Sequence, residues 1–153
     1  MSDPITVLYV DDEENNLISF RAAFRRHFSV LTAISGPEAL PLVRQNDVHV
    51  IVTDQRMPGM TGVEFLQKVI KEKPEPMRIL LTGYTDIQAV IDAINKGEVY
   101  RYLTKPWDAD FMKSTIEQAA EVLKLRRENK QLIEQLRLAN EQLEFYLRQK
   151  LLS

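Results

Sequence analysis

The sequence contains no cysteine. That absence excludes disulfide scaffolds, zinc fingers, iron–sulfur clusters and thiol catalysis, and it fits a reducing compartment, with the cytoplasm as the default. Glycine and proline are sparse, at 5 and 7 of 153 residues, which excludes collagen-like, disordered and low-complexity chains. Long apolar runs are missing as well. Segments such as Val48 to Val52 fall far short of the roughly 20 residues a membrane helix needs, so no membrane partner is expected. No basic segment precedes Ile5 to Val10, as a secretory signal would require. An excess of positive charge is lacking too: the net charge of −2 argues against nucleic acid as a direct partner. What is present, 44% hydrophobic and 27% charged residues, suits one compact domain with an appendage.

The charge is unevenly spread. Residues 1–120 carry 13 basic and 17 acidic side chains, net −4, whereas residues 121–153 carry 7 and 5, net +2. From Val122 onward there is neither Gly nor Pro, and Leu, Glu, Gln, Arg and Lys dominate, all good helix formers. Residues 1–121 therefore read as a globular domain, and residues 122–153 as a helical linker toward an output domain outside this chain.

Within the first part, short apolar runs alternate with helical patterns. Ile5 to Val10, Ser29 to Ala33, Val48 to Thr53, Met77 to Leu81 and Val99 to Leu103 read as strands. Several are apolar on both faces, as a parallel sheet covered by helices requires. Leu17, Phe20 and Phe24 recur at helical spacing, as do Ile87, Val90, Ile91 and Ile94. Ser35 with Glu38, Thr61 with Glu64 and Thr85 with Gln88 have the spacing of capping boxes, Pro37 fits a first helical position, and Gly97 fits a C-terminal stop. Five strands and five helices predict an α/β domain: a (βα)5 doubly wound, parallel five-stranded sheet of the flavodoxin-like kind, its last helix running into the linker.

In such a sheet, ligands bind beyond the carboxyl ends of the strands. Strand 1 is followed by Asp11, Asp12 and Glu13, strand 3 by Asp54, strand 4 by Thr82 and Gly83, and strand 5 by Thr104, Lys105 and Pro106. An Asp after a strand is ordinarily a helix cap, but these elements converge on one edge. Three carboxylates within ~5 Å of one another would repel by roughly 3 kcal/mol per pair at an effective dielectric near 20, which a hard cation would relieve. Oxygen donors without His or Cys favour Mg2+ or Mn2+ over zinc. Lys105 and Thr82 would face them as an ammonium and a hydroxyl suited to phosphoryl oxygens, with Gly83 leaving that wall open. The chemistry implied is phosphoryl transfer to the nucleophile Asp54.

These residues resemble the receiver domain of bacterial two-component response regulators over about residues 4–122. The matching elements are the pair Asp11 and Asp12, the block Asp54-Gln55-Arg56-Met57-Pro58-Gly59-Met60-Thr61-Gly62, the pair Thr82-Gly83, and Tyr102 followed by Lys105-Pro106. The resemblance implies a phosphoprotein in which Asp54 takes a phosphoryl group from the phosphohistidine of a sensor histidine kinase or a phosphotransfer protein. It implies that Asp12, Asp54 and the backbone carbonyl of Arg56 hold Mg2+ and that Asp11 supports the acidic pocket. Lys105 and Thr82 would contact the phosphoryl oxygens, and the Lys105–Pro106 bond would be cis. Tyr102 would be the switch aromatic, moving when the Thr82 loop shifts. Gln55, Arg56 and Tyr84 would neighbour the pocket mouth and bear on phosphoryl lifetime. Chemistry beyond self-phosphorylation and autodephosphorylation is not expected.

Numbered with Val122 at a, the tail places Val122, Asn129, Leu136 and Leu143 at a and Leu125, Leu132, Ala139 and Tyr146 at d. That is a coiled-coil seam, and an Asn at a favours a parallel, in-register homodimer. Ile133 and Leu147 at e widen the stripe, leaving room for a four-helix arrangement or for packing on another domain. Thirty helical residues would span on the order of 45 Å. The segment from Leu80 to Asp108 is similar to receivers joined to AAA-type transcriptional activators, cyclic-dinucleotide enzymes, protein phosphatases or nucleotide cyclases. Trp107 reads as an anchor at the start of the last helix, and His27 and His49 as structural.

Two other classes compete with the phosphoacceptor reading. A haloacid dehalogenase-type phosphatase also uses an Asp after a strand but wants a second Asp two positions on, where Arg56 stands. An unphosphorylated pseudo-receiver acting as a dimerisation module would keep the fold without the chemistry.

Overall fold

The computed structural model describes residues 4–83 and 87–153. Five strands, β1 (Thr6–Val10), β2 (Ser29–Ala33), β3 (Val50–Asp54), β4 (Met77–Thr82) and β5 (Arg101–Thr104), alternate with five helices, α1 (Glu14–Phe24), α2 (Gly36–Gln45), α3 (Gly62–Glu72), α4 (Ile87–Asn95) and α5 (Ala109–Leu152). All neighbouring strands run parallel in the order β2-β1-β3-β4-β5. The expected sheet is therefore present. Its boundaries differ in places: Val48 precedes β3, which extends to Asp54, and β5 begins at Arg101 rather than Val99.

The packing follows the sequence pattern. β3 is buried at all five positions, as the central strand of a sheet covered on both faces must be. α1 buries Leu17, Phe20 and Phe24, and α3 buries Phe65, Leu66 and Val69. Lys73, just past α3, donates from Nζ to the carbonyls of Val43 and Arg44 at 2.8 and 3.1 Å, closing the C-terminal end of α2.

The caps explain where the helices begin and end. The Ser35 hydroxyl accepts from the Glu38 N–H at 3.3 Å, but α2 starts at Gly36, so Pro37 is its second helical residue rather than its first. Thr61 and Glu64 form a reciprocal capping box at α3. Of the Thr85–Gln88 box, Thr85 lies outside the described residues. α4 is closed just past Asn95 by Gly97 (φ +73°), with Gly97 N–H bonding to Ile94 O and Glu98 N–H to Ala93 O, a Schellman closure that needs a left-handed residue at this position.

α5 is continuous over 44 residues. The chain divides into two compact units, Met1–Ala120 and Glu121–Ser153. In the second, Val122 is half-buried, whereas Leu125, Asn129, Leu132, Leu136, Ala139, Leu143 and Tyr146 are exposed.

Candidate functional site: an acidic cup at the carboxyl edge of the sheet

Strand register assembles the cup. Val10 lies beside Thr53, Asp54 beside Leu81, and Thr82 beside Thr104, so the residues that follow these positions meet at one edge. The edge is where β1 and β3 part, the switch point of the sheet. Gln55 N–H bonds to Leu81 O at 2.9 Å and Lys105 N–H to Thr82 O at 3.1 Å, which continue the ladder into the loops.

At its floor, the nearly buried Asp54 receives Lys105 Nζ on Oδ2 at 2.8 Å. One ligand oxygen from each of Asp11, Asp12 and Asp54 lies within 4.8 Å of the others. Burial pushes the Asp54 carboxyl above its ordinary 3.8, and the charge of Asp11 adds to that. Lys105 and the Arg56 backbone N–H, both donating to the Asp54 carboxylate, pull it back down.

Asp11 is fully buried and accepts three donors. Its Oδ2 accepts from the Tyr9 hydroxyl at 2.9 Å and Asn16 Nδ2 at 3.0 Å, and its Oδ1 from the Glu13 N–H at 3.0 Å. Burial, and then the charge of Asp11, raise the Tyr9 hydroxyl far above its usual range, so it remains a donor. Asp12 is exposed at the rim.

On the opposite side, the Thr82 hydroxyl donates to its neighbour's carbonyl, Gly83 O, at 3.0 Å. A Cβ added at Gly83 would meet nothing within 4 Å, so that wall is open. The Lys105–Pro106 peptide is cis. Asp12, Gln55, Arg56, Met57, Pro58 and Thr61 line the mouth, a shallow hollow of about 410 Å³. Gln55 has a second role, for its Oε1 accepts the Val63 N–H at 2.9 Å within the first turn of α3. Tyr84 lies outside the described residues.

Tyr102 is 47% exposed on β5. It borders a cavity of about 130 Å³ shared with Thr82, Ile87, Val90 and Ile91. Trp107 packs against Phe20 and Phe24, with ring centroids 5.8 and 5.5 Å apart. His49 is structural: its Nδ1 accepts the Thr6 N–H at 2.9 Å, tying the start of β1 to the segment before β3.

The cup, its lysine and its strand order coincide with a known family, and the model of the response regulator receiver domain matches residues 7–117. The chain belongs to the receiver domain family. It is a phosphoacceptor module of two-component signalling, and Asp54 is buried at the position the acceptor occupies. The chain is 42% identical over its whole length to the hydrogenase transcriptional regulatory protein HoxA of Cupriavidus necator, and 36% identical over 84% of its length to HoxA of Bradyrhizobium diazoefficiens. It spans 32% and 26% of those proteins. Among solved structures, an adenylate cyclase from Rhodopirellula baltica superposes with a TM-score of 0.83 at 33% identity, covering 86% of this chain and 98% of that one. A receiver domain protein from Clostridium thermocellum gives 0.75 at 31% identity, covering 79% and 98%.

Three features of the site escaped the sequence reading: the Tyr9 and Asn16 donors on Asp11, the Gln55 bond to α3, and the close approach of Gly62 to Asp54. Only the first left a signal, since Tyr9 in β1 and Asp11 just past its end lie two apart in extended chain and so share a face.

Proposed function

We propose that Asp54 attacks the phosphorus of a phosphohistidine carried by a sensor kinase or phosphotransfer protein. A P–O bond to the carboxylate forms, the P–N bond breaks, and the imidazole leaves. The observation that carries this is Lys105 Nζ, 2.8 Å from the Asp54 carboxylate at the floor of a cup of three acids. A point charge there neutralises incoming phosphoryl oxygens. Thr82, on the adjacent strand end, supplies a hydroxyl to one of those oxygens once it leaves Gly83 O.

Asp12, Asp54 and the Arg56 carbonyl, with Asp11 behind them, are the residues that would hold Mg2+, Mn2+ being the alternative. An all-oxygen donor set without His or Cys fits a hard cation. When bound, the cation supplies charge neutralisation at the transferring group.

The exposed a and d residues of the second unit support a parallel homodimer with Asn129 setting the register. For the output, the alignment to the Cupriavidus HoxA covers all of this chain, tail included, which supports control of transcription by a domain beyond residue 153. No described helix is long and apolar enough to cross a membrane, which supports action in the cytoplasm. On this reading residues 1–121 are the receiver and 122–153 the linker, and neither touches nucleic acid.

The test is incubation with Mg2+ and acetyl phosphate or beryllofluoride, followed by intact mass and NMR shifts at Thr82 and Tyr102. One phosphoryl unit is expected, with none in Asp54→Asn or with EDTA. An adduct retained by Asp54→Asn would eliminate Asp54, and no adduct in the wild type would favour the pseudo-receiver. Sedimentation of the full chain against a version ending at Ala120 tests the coil, and equal monomer states would refute it.

A further inference from the structure

Asp11 has a geometry that its neighbours impose. A carboxylate offers about four acceptor sites, and three are taken, two on Oδ2 and one on Oδ1. The plane of the group is therefore set before any cation arrives, with capacity left on Oδ1.

Of the three donors, Tyr9 is the one locked by packing. Its ring is 1% exposed and stacks on Phe20 at 4.1 Å with 1° between planes. Phe20 in turn carries the indole of Trp107 at 5.8 Å, which also rests against Phe24. Trp107 lies two residues after Lys105, whose ammonium sits on Asp54. One short segment thus reaches both sides of the cup, Asp54 directly through Lys105 and Asp11 through the rings of Trp107, Phe20 and Tyr9.

We propose that Tyr9, held by Phe20 and through it by Trp107, is a positioning residue that orients the Asp11 carboxylate for the divalent cation and ties it to the segment carrying Lys105. A purely structural Tyr9 would fill the space under α1 with its ring and need its hydroxyl only to be satisfied. The two roles separate because Tyr9→Phe keeps the ring.

The inference rests on the cup being a Mg2+ site, so the experiment is a Mg2+ titration of the full chain followed by amide NMR shifts at Asp54 and Lys105. Loss of a hydrogen-bond partner behind a metal carboxylate weakens binding 10- to 100-fold. Tyr9→Phe is expected at the lower end, about tenfold weaker, because Asn16 still holds Oδ2. In an Asp11→Ala background, Tyr9→Phe is expected to change the affinity by less than about twofold. Wild-type affinity in Tyr9→Phe, or an equal loss with and without Asp11, overturns the proposal. A wild-type chain that binds no Mg2+ overturns the metal reading and this inference with it, whereas a wild type that binds beside an unaffected Tyr9→Phe overturns this inference alone. Should Tyr9→Phe not fold, Phe20→Leu, which takes away the ring stacked on Tyr9, decides. A weaker Mg2+ affinity that vanishes in the Asp11→Ala background supports the proposal, and wild-type affinity overturns it.

Discussion

Gly62 is where α3 meets the phosphoacceptor strand, and replacing it with alanine is a sharp test of the site's construction. A Cβ there would lie 2.3 Å from Asp54 O and 2.8 Å from Leu80 Cδ1. The first distance is about 1.1 Å short of the 3.4 Å at which ordinary contact begins. Neither neighbour gives way easily. Asp54 ends a central strand, its carbonyl accepts the Thr53 hydroxyl at 3.0 Å, and Leu80 is fully buried. Forcing atoms into a packed core costs about 1–3 kcal/mol, and an immobile backbone puts this case at the upper end. The lower chain entropy of unfolded alanine offsets about 0.4–1 kcal/mol of that. A net loss of about 2 kcal/mol is expected. At a urea dependence of about 2 kcal/mol/M, the midpoint falls by about 1 M. Trp107, the only tryptophan, reports the transition. Because relief of the clash moves Asp54 or α3, acetyl phosphate labelling is expected to slow as well. Gly83→Ala is the control, since nothing lies within 4 Å of its Cβ position, and a change within about 0.5 kcal/mol is expected. A Gly62→Ala protein with the wild-type midpoint would refute the close packing that holds the acceptor in place.

Three further outcomes follow from the same contacts. Asp54→Asn is expected to raise stability in metal-free buffer. The folded carboxyl titrates above its ordinary 3.8, so ionisation costs stability as pH rises from that value through the raised one, and the gain over wild type should shrink as pH falls through the raised value toward 3.8; a gain that persists at pH 3 contradicts this. Lys105→Met removes the ammonium from Asp54 Oδ2, and acetyl phosphate labelling is expected to fall by about 100-fold, as for loss of one preorganised donor, with rates measured by mass spectrometry. Asn129→Leu is expected to strengthen the coil but broaden its oligomeric states in sedimentation, and a monomer would contradict the seam.

Much of this molecule was legible in its sequence because the signals were local. Apolar runs of both-face character gave the strands, and Gly97 marked the end of α4 because the Schellman closure demands a positive φ. The acidic pair, Asp54, Thr82 and Lys105 could be read as one site because parallel strands deliver their carboxyl ends to one edge. What stayed hidden depends on three-dimensional proximity. Gly62 touches Asp54 eight residues away through the fold of a loop, and Gln55, polar and next to the acceptor, turns inward to bond the start of α3. Pro41 is the opposite case: it sits inside α2, where local rules disfavour it, yet the helix passes through, closed at one end by Ser35 and at the other by Lys73.

The energy available for switching can be bounded from the same structure. With Thr82 as the phosphoryl contact, its hydroxyl exchanges the bond to Gly83 O for one to an anion. A neutral hydrogen bond contributes about 1 kcal/mol net and a charged one about 1.5–3, so the exchange favours the switched state by about 1–2 kcal/mol. Tyr102, about half exposed beside a cavity it shares with Thr82, adds the burial of its outer face. Half of a large aromatic surface is on the order of 80 Å², which at ~25 cal/mol/Å² contributes about 2 kcal/mol. Together these reach about 3–4 kcal/mol, below the roughly 5.5 kcal/mol that carries an equilibrium from 1:99 to 99:1. A single receiver is therefore expected to switch incompletely, and the proposed pairing of the tails would be the interaction to supply the rest. With the tail removed after Ala120 and beryllofluoride at saturation, exchange NMR is expected to find a minority of Tyr102 rings still facing solvent, and the full-length chain to shrink that minority. A single inward population in the shortened chain would show that the phosphoryl contact suffices alone, and that the coil receives the signal without helping to set it.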